Sequence, residues 1–278
     1  MRHKLAFAGL LGLLACSIVI TPEAWAQDKQ QDKKADFLDG KFSAWLELAT
    51  DYVFRGESET NDGKIPSIKG SVTWTHKSGV YVGLYMANNL YPGSDIAGNN
   101  PEINSIVGPY LGYARSNIGG SGINYHGFLF QYLYPGEGGS NSDYLEFFNY
   151  VDRQFGRANL KLEYTPTLTD WFGVEGLHSH NVAVLPSFLL PYGVTLSGAI
   201  GRQMFVNTGP SLDANGDGRE ELNWWHWNVG ISREVFRFTV DLRYHDTDIR
   251  LGHHDLYGFP SNHQIVDHRF VVAVSRTF

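Results

Sequence analysis

Four groups of residues have the types and spacing that could do chemistry. Asp213, Asn215, Asp217 and Glu221 put oxygen donors at alternate positions of one segment, and Gly218 follows the third. This is the opening of a calcium loop, in which such oxygens converge on one hard cation and the glycine allows a sharp turn. Trp224 stands where the closing bidentate carboxylate belongs, so the segment reads first as a solvated acidic turn and second as a Ca2+ site. His76 and Ser78 lie two apart, a spacing that lets an imidazole activate a hydroxyl for attack on an ester. Gly79 follows them directly, which favours a polar hairpin turn. His178-Ser179-His180 offers the same two groups without an identifiable third member. His253, His254, Asp255 and His263 could meet a transition metal, but adjacent histidines rarely face one ion.

The elements that would carry these groups follow from composition. The chain has 278 residues, with 42% hydrophobic, 14% aromatic and 18% charged residues and a formal charge of -7. That balance excludes a basic nucleic-acid binder, so no nucleic-acid partner is expected. A single cysteine, Cys16, excludes a disulfide scaffold. Abundant Tyr (15), Phe (17) and Gly (31) suit aromatic strands joined by glycine turns. Residues 1–26 read as a signal peptide: Arg2, His3 and Lys4 precede an apolar run, and Ala24-Trp25-Ala26 supplies the cleavage pattern. A lipoprotein signal at Leu13-Leu14-Ala15-Cys16 is the competing reading. Residues 27–41 are polar and aperiodic, a flexible periplasmic tail. No later segment has the run of about 20 apolar residues that a membrane helix needs.

From Phe42 to Phe278 the sequence alternates. Phe42, Ala44, Leu46 and Leu48 fall on one face of a strand and Trp45, Glu47, Ala49 and Asp51 on the other, a period of two. The same pattern predicts about twelve strands, each near the length that crosses a bilayer at a tilt. They span 42–56, 65–76, 80–89, 103–115, 123–133, 143–155, 158–166, 177–189, 194–206, 223–234, 236–247 and 264–278. Pro186 points to a bulge or a shorter strand within the eighth. Long connections alternate with tight ones, including a join at Val235, as in an outer-membrane barrel with long outer loops and short periplasmic turns. The expected fold is therefore all-β: an antiparallel up-and-down transmembrane β-barrel over residues 42–278, in the cell outer membrane. An apolar face ending at the C-terminal Phe278 suits recognition by barrel-insertion machinery, with Arg276 as the one departure.

Ionisable residues fall opposite the Leu/Val/Phe row, which a polar lumen explains and a dry core does not. Arg55, Lys69, Arg237, Asp241 and Arg243 are the expected lumen residues, with selectivity arising from their charges. The stretch Thr50-Asp51-Tyr52-Val53-Phe54-Arg55-Gly56-Glu57-Ser58 resembles the opening of the TorF-type family of porin-like outer-membrane proteins. His76-Lys77-Ser78-Gly79-Val80-Tyr81-Val82-Gly83 is similar to a hairpin of that family, while Met86-Ala87-Asn88 departs from its pattern. The resemblance covers about residues 42–90 and implies a porin-like channel, with no pore residue assigned. Together these readings predict a non-enzymatic channel for passive diffusion of small hydrophilic solutes. Its partners are outer-membrane lipids, and no cofactor is expected beyond Ca2+ at the acidic loop. The alternatives are a lipid-modifying barrel enzyme using His76 and Ser78, and a non-conducting structural or surface barrel.

Overall fold

The computed structural model describes residues 39–91, 103–136, 142–206, 223–249 and 263–278. After β1 (Gly40–Ala49) come two very short strands, β2 (Val53–Phe54) and β3 (Glu57–Ser58). Eleven further strands follow: β4 (Ser67–His76), β5 (Val80–Tyr91), β6 (Ile103–Arg115), β7 (Ile123–Tyr132), β8 (Tyr144–Phe155), β9 (Ala158–Pro166), β10 (His178–Leu189), β11 (Val194–Val206), β12 (Trp224–Val235), β13 (Phe238–Thr247) and β14 (Arg269–Thr277). A helical turn, α1 (His263–Val266), precedes the last. β1 and β4 to β14 form one closed antiparallel barrel of twelve strands, and β2 and β3 form a separate pair. β14 closes on β1, with Trp45 opposite Thr277 and Ala49 opposite Ala273.

The alternation in sequence becomes an alternation of environment. Along β11, Thr195, Ser197, Ala199, Gln203 and Phe205 are buried inside, and Leu196, Ile200 and Val206 face out. Leu46, Ile68, Val72, Leu111, Val229, Leu242 and Val272 continue the exposed apolar surface around the barrel. A belt of this kind has no partner in water. In hydrocarbon it is solvated by acyl chains, while the closed ladder satisfies every strand N–H and C=O. The barrel is thus of the outer-membrane type. Residues 77–79, 156–157, 190–193 and 236–237 make tight turns at one end, which also carries the seven-residue connection 116–122, and the inserted segment 50–66 starts from the other end.

Four differences from the sequence expectation have a physical reason. β1 ends at Ala49, not at residue 56, because the chain leaves the wall at Thr50 and turns inward. β14 begins at Arg269, since His263–Val266 coils into α1. β10 is neither bulged nor shortened at Pro186, which keeps its place opposite Leu160 of β9. Toward β11 the register resumes unchanged from Val184↔Ile200 to Ser187↔Ser197, with the proline's missing N–H confined to the gap between. The β12–β13 join is the pair Phe236 and Arg237, both at positive φ (51° and 69°), between Val235 and Phe238. Two residues are needed to reverse the chain with the twist of the flanking strands.

A charge on the outward face should be expensive at mid-strand. Ile200→Arg is expected to lower the barrel's unfolding free energy in lipid vesicles by about 2–4 kcal/mol. A neutral result by urea titration would show that this face does not meet hydrocarbon.

Candidate functional site

The interior has two unlike walls. On β5 to β8 the inward positions are mostly aromatic: Tyr81, Tyr85, Tyr110, Phe128, Phe130 and Phe148 are buried and packed ring on ring. Phe128 and Phe148 stack at 4.8 Å, and Tyr132 and Tyr144 at 4.4 Å. Gly108 makes this possible, because a Cβ there would occupy the place of the Phe130 ring on the next strand. From β9 round to β4 the inward positions are mainly polar or charged, including Glu163, Asn181, Ser197, His226, Arg243 and Lys69.

Between these walls lies the segment 50–66, folded back into the bore. Val53 pairs with Ser58 and Phe54 with Glu57, so β2 and β3 make a minimal hairpin with Arg55-Gly56 at its tip. Arg55 adopts φ 49° and Gly56 φ 93°. A Cβ at Gly56 would collide with Thr247 and crowd His226, so only glycine fits against that wall. The base of the hairpin is pinned by Asp51, which accepts from Ser58 Oγ at 2.8 Å and from Arg269 Nη1 at 2.8 Å. Asn89 Nδ2 donates to Glu59 Oε2 at 2.7 Å, and Leu90 N–H to the Glu59 carbonyl at 2.8 Å. The tip reaches two distant strands. Arg55 donates from both Nη atoms to the Glu146 carboxylate of β8, at 2.8 and 3.2 Å. Trp224 of β12 donates its indole N–H to the Arg55 carbonyl at 2.9 Å. Burial works against the Arg55 charge, but the Glu146 carboxylate outweighs it and holds the guanidinium pKa above its ordinary value.

The expected lumen residues have different fates. Arg55 sits at the centre of the bore on the hairpin, not on the wall. Lys69 faces inward, paired with Glu47 Oε1 at 2.7 Å, with Nζ 4.4 Å from the centre of the Tyr52 ring. Arg243 is buried, bonded to Asp241 Oδ2 at 2.9 Å, to Asn228 Oδ1 at 2.8 Å and to Ser197 Oγ at 3.0 Å. Arg237 is exposed on the β12–β13 turn and does not line the lumen, since the two-residue reversal takes it off the strand. The acidic set Asp213, Asn215, Asp217 and Glu221 lies outside the described residues, as do His253, His254 and Asp255. Among the described residues no three Asp, Glu, His or Cys groups converge as a metal site. His76 Nδ1 lies 2.7 Å from Ser78 Oγ and also accepts the Ser78 backbone N–H at 3.2 Å, on an exposed turn. His178 and His180 point away from the buried Ser179, toward Asp170 and Tyr164 respectively.

Alternation in the sequence marks Glu146 as one of several inward charges without singling it out. It belongs to the inward parity set of β8, but nothing local marks its partner 91 positions away. The hairpin did leave one local trace. Arg55-Gly56, inside an alternating run, is a two-residue turn signal with glycine at the second position.

No curated protein matches the chain in sequence. The sequence model of a bacterial family of unknown function, Gcw_chp, matches residues 38–278. Among solved structures the chain is similar to the NanC porin, at 8% identity over 85% of this chain and 98% of that one, with a TM-score of 0.49. It is similar to the KdgM porin in complex with disordered oligogalacturonate, at 7% identity over 85% and 98%, with a TM-score of 0.48. An outer membrane channel from Pseudomonas putida F1 gives 8% identity over 90% and 100%, with a TM-score of 0.48. Identities this low speak only to fold.

The hairpin should respond to pH through Glu59. Burial, and then the neighbouring Glu57 and Asp51 charges, push its carboxyl from 4.5 up to about 8 against the Asn89 hydrogen bond. A carboxyl that binds its proton more tightly in the docked hairpin stabilises docking fully below pH 4.5. That contribution is lost as pH rises from 4.5 through about 8. Tryptophan emission, which reports on Trp224 at the tip, is expected to change over this window in the native barrel and to stay flat in Glu59→Gln. An identical pH profile in the variant would overturn the assignment.

Proposed function

The chain belongs to the Gcw_chp family of bacterial proteins of unknown function, and we propose that it is an outer-membrane channel for passive diffusion of small hydrophilic solutes. One observation carries this reading: among the described residues Arg55 at the hairpin tip lines two cavities, one reaching Tyr132 and Trp171 and the other Glu163 and His245. They measure about 510 and 390 Å³, counting the space continuous with open solvent. A wide barrel closed at its waist by loop chain, rather than by wall residues alone, needs only that chain to yield for a path to form. The paired charges at Arg55, Lys69, Asp241 and Arg243 would then set selectivity, by presenting both signs along the route. The likeness of Thr50–Ser58 to the TorF-type opening supports the same reading, and those nine residues coincide with the inward turn and the hairpin.

In this reading the signal peptide is removed after Ala26, and the tail in the periplasm ends at residue 39, because Gly40 and Lys41 already pair within β1. The C-terminal strand addresses insertion machinery, and the resident partners are outer-membrane lipids. The protein is not an enzyme: a single ring nitrogen of His76 serves both the hydroxyl and the N–H of Ser78, which is the bonding of a turn. A second reading, a non-conducting structural barrel, draws support from the tightly packed aromatic wall and the buried Arg55–Glu146 pair.

Planar-bilayer recording separates the two. The native protein is expected to give small, infrequent conductance steps. A variant in which residues 52–58 are replaced by a short glycine-serine link should give steps several-fold larger. Silence from both proteins across a range of salts would overturn the channel and leave the structural barrel.

A further inference from the structure

Arg55 is held as a ligand would be held. Its guanidinium lies on groups that belong to the fixed wall. Glu146 on β8 takes both Nη atoms, and the Tyr132 hydroxyl on β7 donates to the same carboxylate at 3.2 Å. The Phe148 ring faces the guanidinium carbon at 6.0 Å. Glu146 and Phe148 are wholly buried. The occupant comes from the loop segment, together with Phe54, whose ring centre lies 4.5 Å from the guanidinium carbon. We propose that Glu146, Tyr132 and Phe148 form a binding site for an organic cation, a guanidinium or primary alkylammonium group carried by a solute, and that Arg55 is its built-in occupant.

The chemical class follows from what must replace Arg55. Removing the partner of a buried carboxylate is strongly unfavourable, because the remaining charge is left dry and unpaired. A neutral solute would leave that charge bare, and an anion would add a second. A planar cation restores the fork of hydrogen bonds and the contact with the ring face. Each neighbouring cavity offers a carboxylate for its approach, Glu57 in one and Glu163 in the other. The resident occupant also fits imperfectly. Arg55 Nε–H is buried and finds no acceptor among the described residues, so a tethered guanidinium leaves a donor unsatisfied that a free one can turn to a partner. Exchange at Glu146 would release the tip, leaving the base of the hairpin held by Asp51 and Asn89.

The inference rests on the channel reading for what the solute does next, but binding at Glu146 requires no current. The test is calorimetry on the full-length barrel refolded in detergent, with methylguanidinium as probe and N-methylurea as its neutral counterpart. Refolding of each variant is confirmed by heat-modifiable gel mobility. Methylguanidinium is expected to bind the native protein weakly and Arg55→Ala at least tenfold more tightly, because the site is vacated. It should fail to bind Glu146→Gln, and methylurea should bind none of the three. Should Arg55→Ala not refold, Arg55→Lys replaces it, with an affinity above the native value because a single ammonium fills the fork less well. Equal binding of both probes, retained binding in Glu146→Gln, or no gain on changing Arg55 would overturn the proposal. Conductance from the same preparations keeps the two readings apart: current without guanidinium binding sinks this inference alone, and binding without current sinks the channel alone.

Discussion

Everything in this molecule answers to one constraint: in hydrocarbon the hydrogen-bond ladder has to close on itself. An open edge would leave a row of N–H and C=O groups with neither water nor protein to bond. The pairing of β14 with β1 meets that requirement. It also fixes a second problem, because strand number sets the bore. Eight strands leave an interior that side chains can fill, whereas twelve leave more space than ordinary side chains span. Here the surplus is taken up in two ways. Large rings lie over glycine gaps on β5 to β8, and a loop hairpin fills the middle.

The polar wall follows a related rule. Four inward cations, Lys69, Arg243, Arg269 and Arg55, each have a carboxylate within 3 Å, respectively Glu47, Asp241, Asp51 and Glu146, whereas Lys161 places its Nζ 5.5 Å from the Tyr150 ring centre. Two of these pairs join residues of one strand or of neighbouring strands, and are as fixed as the ladder that carries them. Arg269–Asp51 and Arg55–Glu146 instead join the inserted segment to the wall. Desolvation leaves the net worth of a buried pair close to even, but makes either half alone very costly. Such pairs therefore do little for stability and a great deal for position. They dictate where the hairpin can sit.

The barrel was legible because lipid on one side and polar interior on the other impose period two on every strand. The twelve spans, the short turns and the inward parity of Lys69, Asp241 and Arg243 all came from that rule. Its failures have the same origin. Asp51, Val53 and Arg55 keep the period of two after the chain has left the wall, since a hairpin inside the lumen is also a strand with two faces. Arg237 has the right parity for the lumen, but parity says nothing about where the two-residue reversal falls. Glu146 was one inward carboxylate among several, and its importance depends on a contact across the whole diameter, which no local pattern encodes.

The difference between the base and the tip of the hairpin gives the interior its functional character. The base is tied to β14 through Asp51 and Arg269, to β5 through Glu59, Asn89 and Leu90, and within itself through Ser58. The tip holds by one ion pair and one indole hydrogen bond, on strands far from the base. A lever fastened firmly at one end and by a replaceable charge contact at the other could leave its place only where the charge left behind finds a new partner. Simple flexibility would let the tip wander and leak. A buried carboxylate forbids wandering, because the bare state is too costly to populate, and so permits exchange only. Under the proposed exchange, the same pair that seats the tip would also decide the sign of charge able to displace it.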